Sequence, residues 1–434
     1  MALPFLAAGG AIPALAVPSG SLIAVFFALV MLDAVWAFRS LDGINVELPD
    51  LIRLSKDRTG EIELRIKNEK QKAKSLRVGL ALPPEICSLD EELRVALPVE
   101  SPLSRLCWPC TPLKRGNYFL DKCYLETGSP FGFWAIRRAT PTHTEIRVYP
   151  DMSRERRNLS GLFLNRGGVG LHSQRQVGRG REFEKLRQYM PGDSYDEIHW
   201  KATAKRRHPV TKIFQIERTQ EVYVIIDASR LSARRSDSPL SGDHESQTTL
   251  ERFITAALVI GLAAEKQGDL FGVLTFSDGV QRFLRAKNGK AHYNACRDAL
   301  YTLEPQIVTP DFQDLCAFIR LRLRRRALLA FLTDLSDPVV AESFVRSVDL
   351  ISRHHLVVVN MLKSPNVTPL FSDSDVTSTQ DLYEKLAGHI LWHDLRELEK
   401  ILHRRGVRFS LLDHEKLSIQ LVSQYMSVKQ RQLL

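Results

Sequence analysis

The stretch EVYVIIDAS, residues 221–229, decides the fold of the C-terminal half of this chain. Val222 to Ile226 is an unbroken apolar run rich in β-branched residues, as a strand buried on both faces requires, and it ends in the polar Asp227 and Ser229. TLERFITAALVIGLAAEKQG (249–268) follows, with small and apolar residues spaced i, i+3, i+4 as on one face of a helix. Working outward, the same alternation continues. DLFGVLTFSD (269–278), ALLAFLTDLSD (327–337), HLVVVNML (355–362) and VRFSLLD (407–413) read as strands. AHYNACRDALYTL, FQDLCAFIRLRLRR, PVVAESFVRSVDLISR and the long 379–406 segment read as helices, and a last helix closes the chain. Strands alternating with helices predict an α/β doubly wound, Rossmann-like parallel sheet over 219–434. Ligands of such sheets sit at the carboxyl ends of the strands, so Asp227 and Asp334, each ending a strand, are expected on one edge. The polar stretch 232–247 beside them reads as a mobile loop.

Upstream, the texture is different. IRLSKDRTGEIELRIKNE (52–69) alternates polar and apolar residues, and LRVGLALP, YFLDKCYLET and TEIRVYP follow between Pro and Gly punctuation. Short strands with frequent turns predict an all-β, immunoglobulin-like sandwich over 45–150. A segment dense in charge and glycine, 151–218, links it to the α/β half.

The first 40 residues read as a membrane anchor. Up to Phe38 the only ionisable side chain is Asp33. SLIAVFFALVMLDAVWAF (21–38) is long enough to cross a hydrocarbon core of about 30 Å. The shorter apolar piece 2–17, broken by Pro and Gly, makes either a hairpin of two transmembrane helices or a single span with an interfacial lead-in. Arg39, Arg53, Lys56 and Arg58 follow the span and no Lys or Arg precedes it, which places the soluble domains in the cytoplasm, on the inner face of the cytoplasmic membrane. A cleaved signal peptide would need a basic leading region that is absent here. Asp33 is costly in lipid and marks either a helix contact or a snorkelling side chain.

With 434 residues, 44% hydrophobic and 25% charged, the chain is folded and multidomain. Its formal charge of +10 suits an anionic membrane face better than nucleic acid. Six cysteines in this length make no disulfide framework, and the lone CxxC (Cys107, Cys110) falls among strands, where residues three apart face opposite ways. His389 and His393 share a helix face without a metalloprotease glutamate, and the basic run 320–326 ends a helix, where cations suit the dipole.

At the strand end, Asp227-Ala228-Ser229-Arg230-Leu231 resembles the Asp-x-Ser-x-Ser metal site of the von Willebrand factor A fold, with Asp334 in the place of the later Asp. Leu231 replaces the third hydroxyl, and the loop before the His292 helix offers no counterpart of the expected Thr. A Mg2+ ion is what such a site would take, held by Asp227, Ser229 and Asp334.

The segment GRGREFEKLRQYMPGDSYDEIHWKATAKRR (178–207) carries a denser resemblance. Gly178, Gly180, Glu182 and Phe183, then Leu186, Arg187, Tyr189, Gly192 and Asp193, then Ile198, Trp200, Lys201, Thr203 and Ala204 match the signature of the bacterial domain-of-unknown-function family fifty-eight. Lys114-Arg115-Gly116, Ser129-Pro130-Phe131-Gly132 and Arg405-Gly406-Val407 extend the likeness. Asp196 and Lys205 depart from it at positions where the family favours Arg. The resemblance implies an N-terminal membrane anchor, a β-sandwich and a von Willebrand factor A-like domain. It also implies work beside a MoxR-type AAA+ ATPase in protein assembly or stress response. Gly180, Arg181, Glu182, Phe183, Arg187, Tyr189, Gly192, Asp193, Trp200 and Lys201 are the candidate partner-binding residues. No nucleophile–base set is visible, so the expected function is a non-catalytic membrane-tethered adaptor. The alternative is a metal-dependent hydrolase or sensor working at Asp227 and Asp334.

Overall fold

The computed structural model describes residues 16–38, 40–69, 75–98, 101–165, 177–191, 194–215, 220–236, 247–364, 367–370, 378–414 and 416–431. The chain divides into two compact units, Met1–Asp151 and Met152–Leu434.

The first unit opens with helix α1 (Ala16–Phe38), whose apolar window Gly20–Phe38 has mean hydropathy 2.3. At 1.5 Å per residue it is about 35 Å long, enough to cross a bilayer core. Most of the first apolar piece, 1–15, lies outside the described residues, as does Arg39. Nine strands follow: β1 (Ile44–Glu47), β2 (Leu51–Ser55), β3 (Gly60–Asn68), β4 (Ser75–Leu80), β5 (Ile86–Cys87), β6 (Leu93–Ala96), β7 (Leu103–Pro112), β8 (Gly116–Gly128) and β9 (Ala135–Tyr149). They form a four-stranded sheet, β1-β3-β7-β5, and a five-stranded sheet, β2-β9-β8-β4-β6. The alternation in β3 sends Ile62, Leu64 and Ile66 inward, where they meet Trp108 of β7 and Leu120, Leu125, Ile146 and Val148 of the other sheet. The buried indole of Trp108 is satisfied by Ser88, at 3.0 Å.

The second unit begins with α2 (Ser153–Asn165) and the antiparallel pair β10 (Val177–Gln188) and β11 (Val210–Gln215), with the short α3 (Trp200–Arg206) between those strands. Then come β12 (Glu221–Asp227), the two-residue pair β13 (Arg235–Ser236) and β14 (Gln247–Thr248), α4 (Thr249–Gln267), β15 (Leu270–Phe276) and β16 (Val280–Lys287). The rest runs α5 (Lys290–Leu300), α6 (Phe312–Arg322), β17 (Ala327–Leu332), α7 (Pro338–Ser352), β18 (Leu356–Leu362), α8 (Thr379–Arg404), β19 (Arg408–Leu412) and α9 (Leu417–Gln430).

Six strands make one sheet in the order β16-β15-β12-β17-β18-β19. Alternate residues of β12 feed two cores. Val222, Val224 and Ile226 pack with α4, α5 and α9, while Tyr223 and Ile225 pack with α6, α7 and α8. Helix α4 is closed at both ends, by the Thr248 hydroxyl accepting from the Glu251 amide and by Gly268 at φ 74°. Helix α9 is pinned by Tyr425 and Lys429, which both reach the buried carboxylate of Asp269.

The sheet departs from the all-parallel expectation at one edge. Strand β16 runs antiparallel to β15, and VQRFLRAK is too polar to read as a buried strand because it lies at the edge. Helix α2 also escaped the sequence reading, its opening SRERRN being charged throughout. The 232–247 stretch is ordered at its ends, where Arg235 pairs with Thr248 and Ser236 with Gln247; residues 237–246 lie outside the described ones.

Candidate functional site

Strand order reverses around β12, whose next strand along the chain, β15, lies on one side and whose later partner, β17, on the other. A crevice opens beyond the strand ends at such a point. Asp227 closes β12 there, 1% exposed. Its Oδ1 accepts the Ser229 amide at 2.8 Å and its Oδ2 accepts the Thr333 hydroxyl at 2.6 Å. Burial pushes the Asp227 carboxyl up from the ordinary range, while Thr333 and Ser229 pull it back and the nearby Asp334 charge raises it further. The Ser229 hydroxyl is near enough to help hold that charge, yet it falls short of hydrogen-bond geometry and is a buried oxygen without a partner among the described residues. Ser232 donates to the Ser229 carbonyl at 2.7 Å and is thereby turned to backbone duty.

Asp334 comes from the loop after β17. Its Oδ1 accepts the Ser336 amide at 2.9 Å, and its Oδ2 lies 3.4 Å from the Arg234 guanidinium, which also donates to Ser336 Oγ at 3.0 Å. Arg230 reaches Asp337 at 2.6 Å, and Asp337 also caps α7 through the Val339 amide. The rim is therefore ionic: Arg230 and Arg234, both largely exposed, stand beside Asp334 and Asp337.

Whether this set suits a divalent cation turns on Arg234. Asp227, Ser229 and Asp334 are together, as the sequence pattern requires, and the unsatisfied Ser229 oxygen is the kind of ligand Mg2+ takes. Leu231, however, is a buried side chain where a third hydroxyl would stand, and Arg234 already places a positive charge against Asp334. As built, the residues do not fit a bound Mg2+. The loop that reaches the strand end is also a different one from that searched in the sequence. The Arg230 amide donates to the Val308 carbonyl at 3.1 Å and the Gln306 amide to Ala228, so the loop before α6, with Thr309, borders the crevice. Thr333, Arg230 and Arg234 are the site residues that sequence reasoning missed. Thr333 was open to view beside Asp334, but the arginines join the rim only through long-range contacts.

The signature segment folds locally. Gly180, Arg181, Glu182 and Phe183 run along β10, with their side chains outside the described set; Gly192 and Asp193 lie outside the described residues. The His199 ring accepts the Ala202 amide at 3.0 Å and so caps α3, the Thr203 hydroxyl accepts the Val210 amide at 3.1 Å, and Arg207 ends the helix at φ 58°. Arg187 and Tyr189 are half-buried, and Lys201 is exposed. Met190, Tyr195 and Trp200 show 57%, 75% and 68% of their surface, an unusual share for large apolar side chains.

The remaining sequence candidates are structural. Cys107 is exposed and Cys110 buried, on opposite faces of β7, and burial pushes the Cys110 and Cys123 thiols up to about 11. His389 accepts the Leu370 amide at 3.3 Å and stacks on Trp392. Among the described residues no three His, Cys, Asp or Glu side chains converge as a metal cluster.

A model of the family described as "Protein of unknown function DUF58" matches residues 185–370. Uncharacterized proteins of Mycobacterium tuberculosis and Mycobacterium bovis are 22% identical over 201 residues, 46% of this chain, and the chain spans 60% of their length. Among solved structures, the conserved hypothetical protein BatB from Bacteroides thetaiotaomicron aligns at 12% identity and TM-score 0.29, over 49% of this chain and 99% of that one. An aerotolerance-related membrane protein from Bacteroides fragilis aligns at 12% identity and TM-score 0.28, over 48% and 98%. The fold assigned above rests on strand order and register.

Proposed function

Because residues 185–370 are a domain of the DUF58 family, we propose that this chain is a membrane-anchored, non-catalytic adaptor. Helix α1 tethers it to the cytoplasmic membrane. The strand-rich unit serves as an immunoglobulin-like spacer, and the α/β unit, read as von Willebrand factor A-like, holds protein partners in the cytoplasm. A MoxR-type AAA+ ATPase is the expected partner.

One observation carries this reading: the signature segment presents Met190, Tyr195 and Trp200 to solvent beside Lys201. Exposed aromatic side chains fixed by local caps, with a basic neighbour, have the make-up of an interface core. The crevice adds a second contact, an ionic rim able to exchange Arg234 from Asp334 onto a partner's carboxylate. The hydrolase alternative would need a cation where Arg234 stands, and it draws support only from the unsatisfied Ser229 oxygen.

Capture of a purified MoxR-type ATPase by the full chain in detergent tests the proposal. Trp200→Ala is expected to weaken capture at least tenfold, since an interface anchor of this type contributes about 2 kcal/mol or more. Undiminished capture by Trp200→Ala together with Tyr195→Ala would overturn the signature surface as the contact, and no binding by the wild-type chain would overturn the partner.

A further inference from the structure

Helix α1 is exposed along most of its length, with one covered stripe. Ile23, Phe26, Val30 and Ala34 are half-covered, while Asp33 and Ala37 are buried, and the 23-26-30-33-37 spacing lies on one helical face. What covers it is the turn between β8 and β9, Ser129-Pro130-Phe131-Gly132-Phe133-Trp134. The Asp33 carboxylate accepts from the Ser129 hydroxyl, from the Phe131 amide at 3.1 Å and from the Phe133 amide at 3.3 Å. Ser129 Oγ in turn accepts the Trp134 amide at 3.0 Å, and the Trp134 indole donates to the Val30 carbonyl at 3.0 Å. Phe131 stacks on Trp36 at 6.1 Å between centroids, and Phe133 meets Phe26 edge-on at 5.6 Å.

These contacts give the turn a depth. Phe26 lies twelve residues before Phe38 and Asp33 five, so the turn follows α1 from about 7 Å to about 18 Å inside its end. At those depths a non-helical backbone meets too little water to satisfy its amides, and it persists only where something else accepts them. Asp33 accepts them. The side chains that remain outward, Phe131, Phe133 and Trp134, are 55%, 48% and 47% exposed and carry no charge. Aromatic residues of this kind concentrate at the boundary between headgroups and acyl chains.

We infer, on the reading of α1 as a membrane anchor, that the β8–β9 turn inserts into the same leaflet beside α1. The occupant of its exposed aromatic face is lipid, and Asp33 is the latch that makes the insertion tolerable. An intramembrane carboxylate then needs no ion or proton to carry. It is the acceptor for a loop that lipid could not otherwise hold, and the first unit meets the membrane at two places instead of swinging from one helix.

The experiment uses the full chain in vesicles of phosphatidylcholine and phosphatidylglycerol, with exposed Cys87 and Cys107 replaced by serine. Single nitroxide labels are placed through Phe133→Cys, Val35→Cys and Leu89→Cys. Power-saturation spectra compare access by oxygen, which partitions into lipid, with access by a water-soluble nickel chelate. The labels at 133 and 35 are expected to share a several-fold preference for oxygen, and the label at 89, on a residue 98% exposed, to prefer nickel. Adding Asp33→Leu, which keeps α1 apolar, is expected to move the 133 label toward nickel and leave the 35 label in place. A water-exposed 133 label beside a lipid-exposed 35 label overturns the insertion and leaves the anchor standing. Water at both overturns the anchor and the insertion with it. A 133 label that stays in lipid in Asp33→Leu overturns the latch.

Discussion

Thr333 and Asp227 are 106 residues apart in sequence, and a single 2.6 Å hydrogen bond between them ties the loop after β17 to the end of β12. Asp334, the next residue, is held at the crevice by that bond. Thr333→Val keeps the shape and removes the donor, leaving a buried carboxylate oxygen short of a partner. The expected loss is about 1–3 kcal/mol of unfolding free energy, read from urea denaturation. A variant as stable as the wild type would mean that the bond does not organise the site.

Arg234 sets the charge of the crevice. The melting temperature of the wild-type chain is expected to ignore millimolar Mg2+, because Arg234 already neutralises Asp334. Arg234→Ala uncovers Asp227, Ser229 and Asp334 together, and its melting temperature is expected to rise with Mg2+ as a bound ligand requires. The opposite pattern, with wild type responding and the variant not, would revive the metal-site interpretation.

Two buried groups give stability opposite dependences on pH. Burial holds the Asp227 carboxyl above its ordinary value, so the folded chain keeps that proton to higher pH than the unfolded one, and stability falls as pH rises through the folded value. Burial, with His354 beside it, pushes His355 down from 6.5 to about 4, so the unfolded chain takes that proton first. Its contribution is complete above about pH 6.5 and is lost as pH falls toward about 4. His355→Gln is expected to lose less stability than wild type on acidification over that window, and Asp227→Asn to lack the loss that accompanies rising pH. Urea midpoints across the range check both, and curves parallel to wild type would refute the assignments.

Gly272 in β15 has no room for a side chain. An added Cβ would lie 2.5 Å from the Tyr223 ring and 2.8 Å from the Leu284 carbonyl, and the latter is backbone that cannot yield cheaply. Gly272→Ala is expected to destabilise the α/β unit by about 1–3 kcal/mol. A calorimetric scan in which the variant melts with the wild type would show the strand pair β15–β16 to be more pliant than its packing suggests.

The main strands of the α/β sheet were legible because burial on both faces demands apolar, β-branched runs such as VYVII and LLAFL. β16 was not, since an edge strand can afford Gln281, Arg282 and Arg285. The crevice was half legible. Asp227, Ser229 and Asp334 announce themselves by position at strand ends. Arg234 sits in a polar stretch that reads as loop, and the approach of Val308 to Arg230 crosses 78 positions, which no local pattern encodes. Asp33 was visible as an anomaly, but its partners lie 96 to 100 residues away.

The pairing of Arg235 with Thr248 places the two feet of the intervening segment side by side at the lip of the crevice. Chain inserted between them leaves and returns at one point, so a peptide tag or a small fluorescent domain can be housed there without stretching β12 away from α4. A reporter so placed sits at the mouth of the crevice, where its signal would change as a partner arrives, turning a structural hairpin into a handle for watching occupancy in the living membrane.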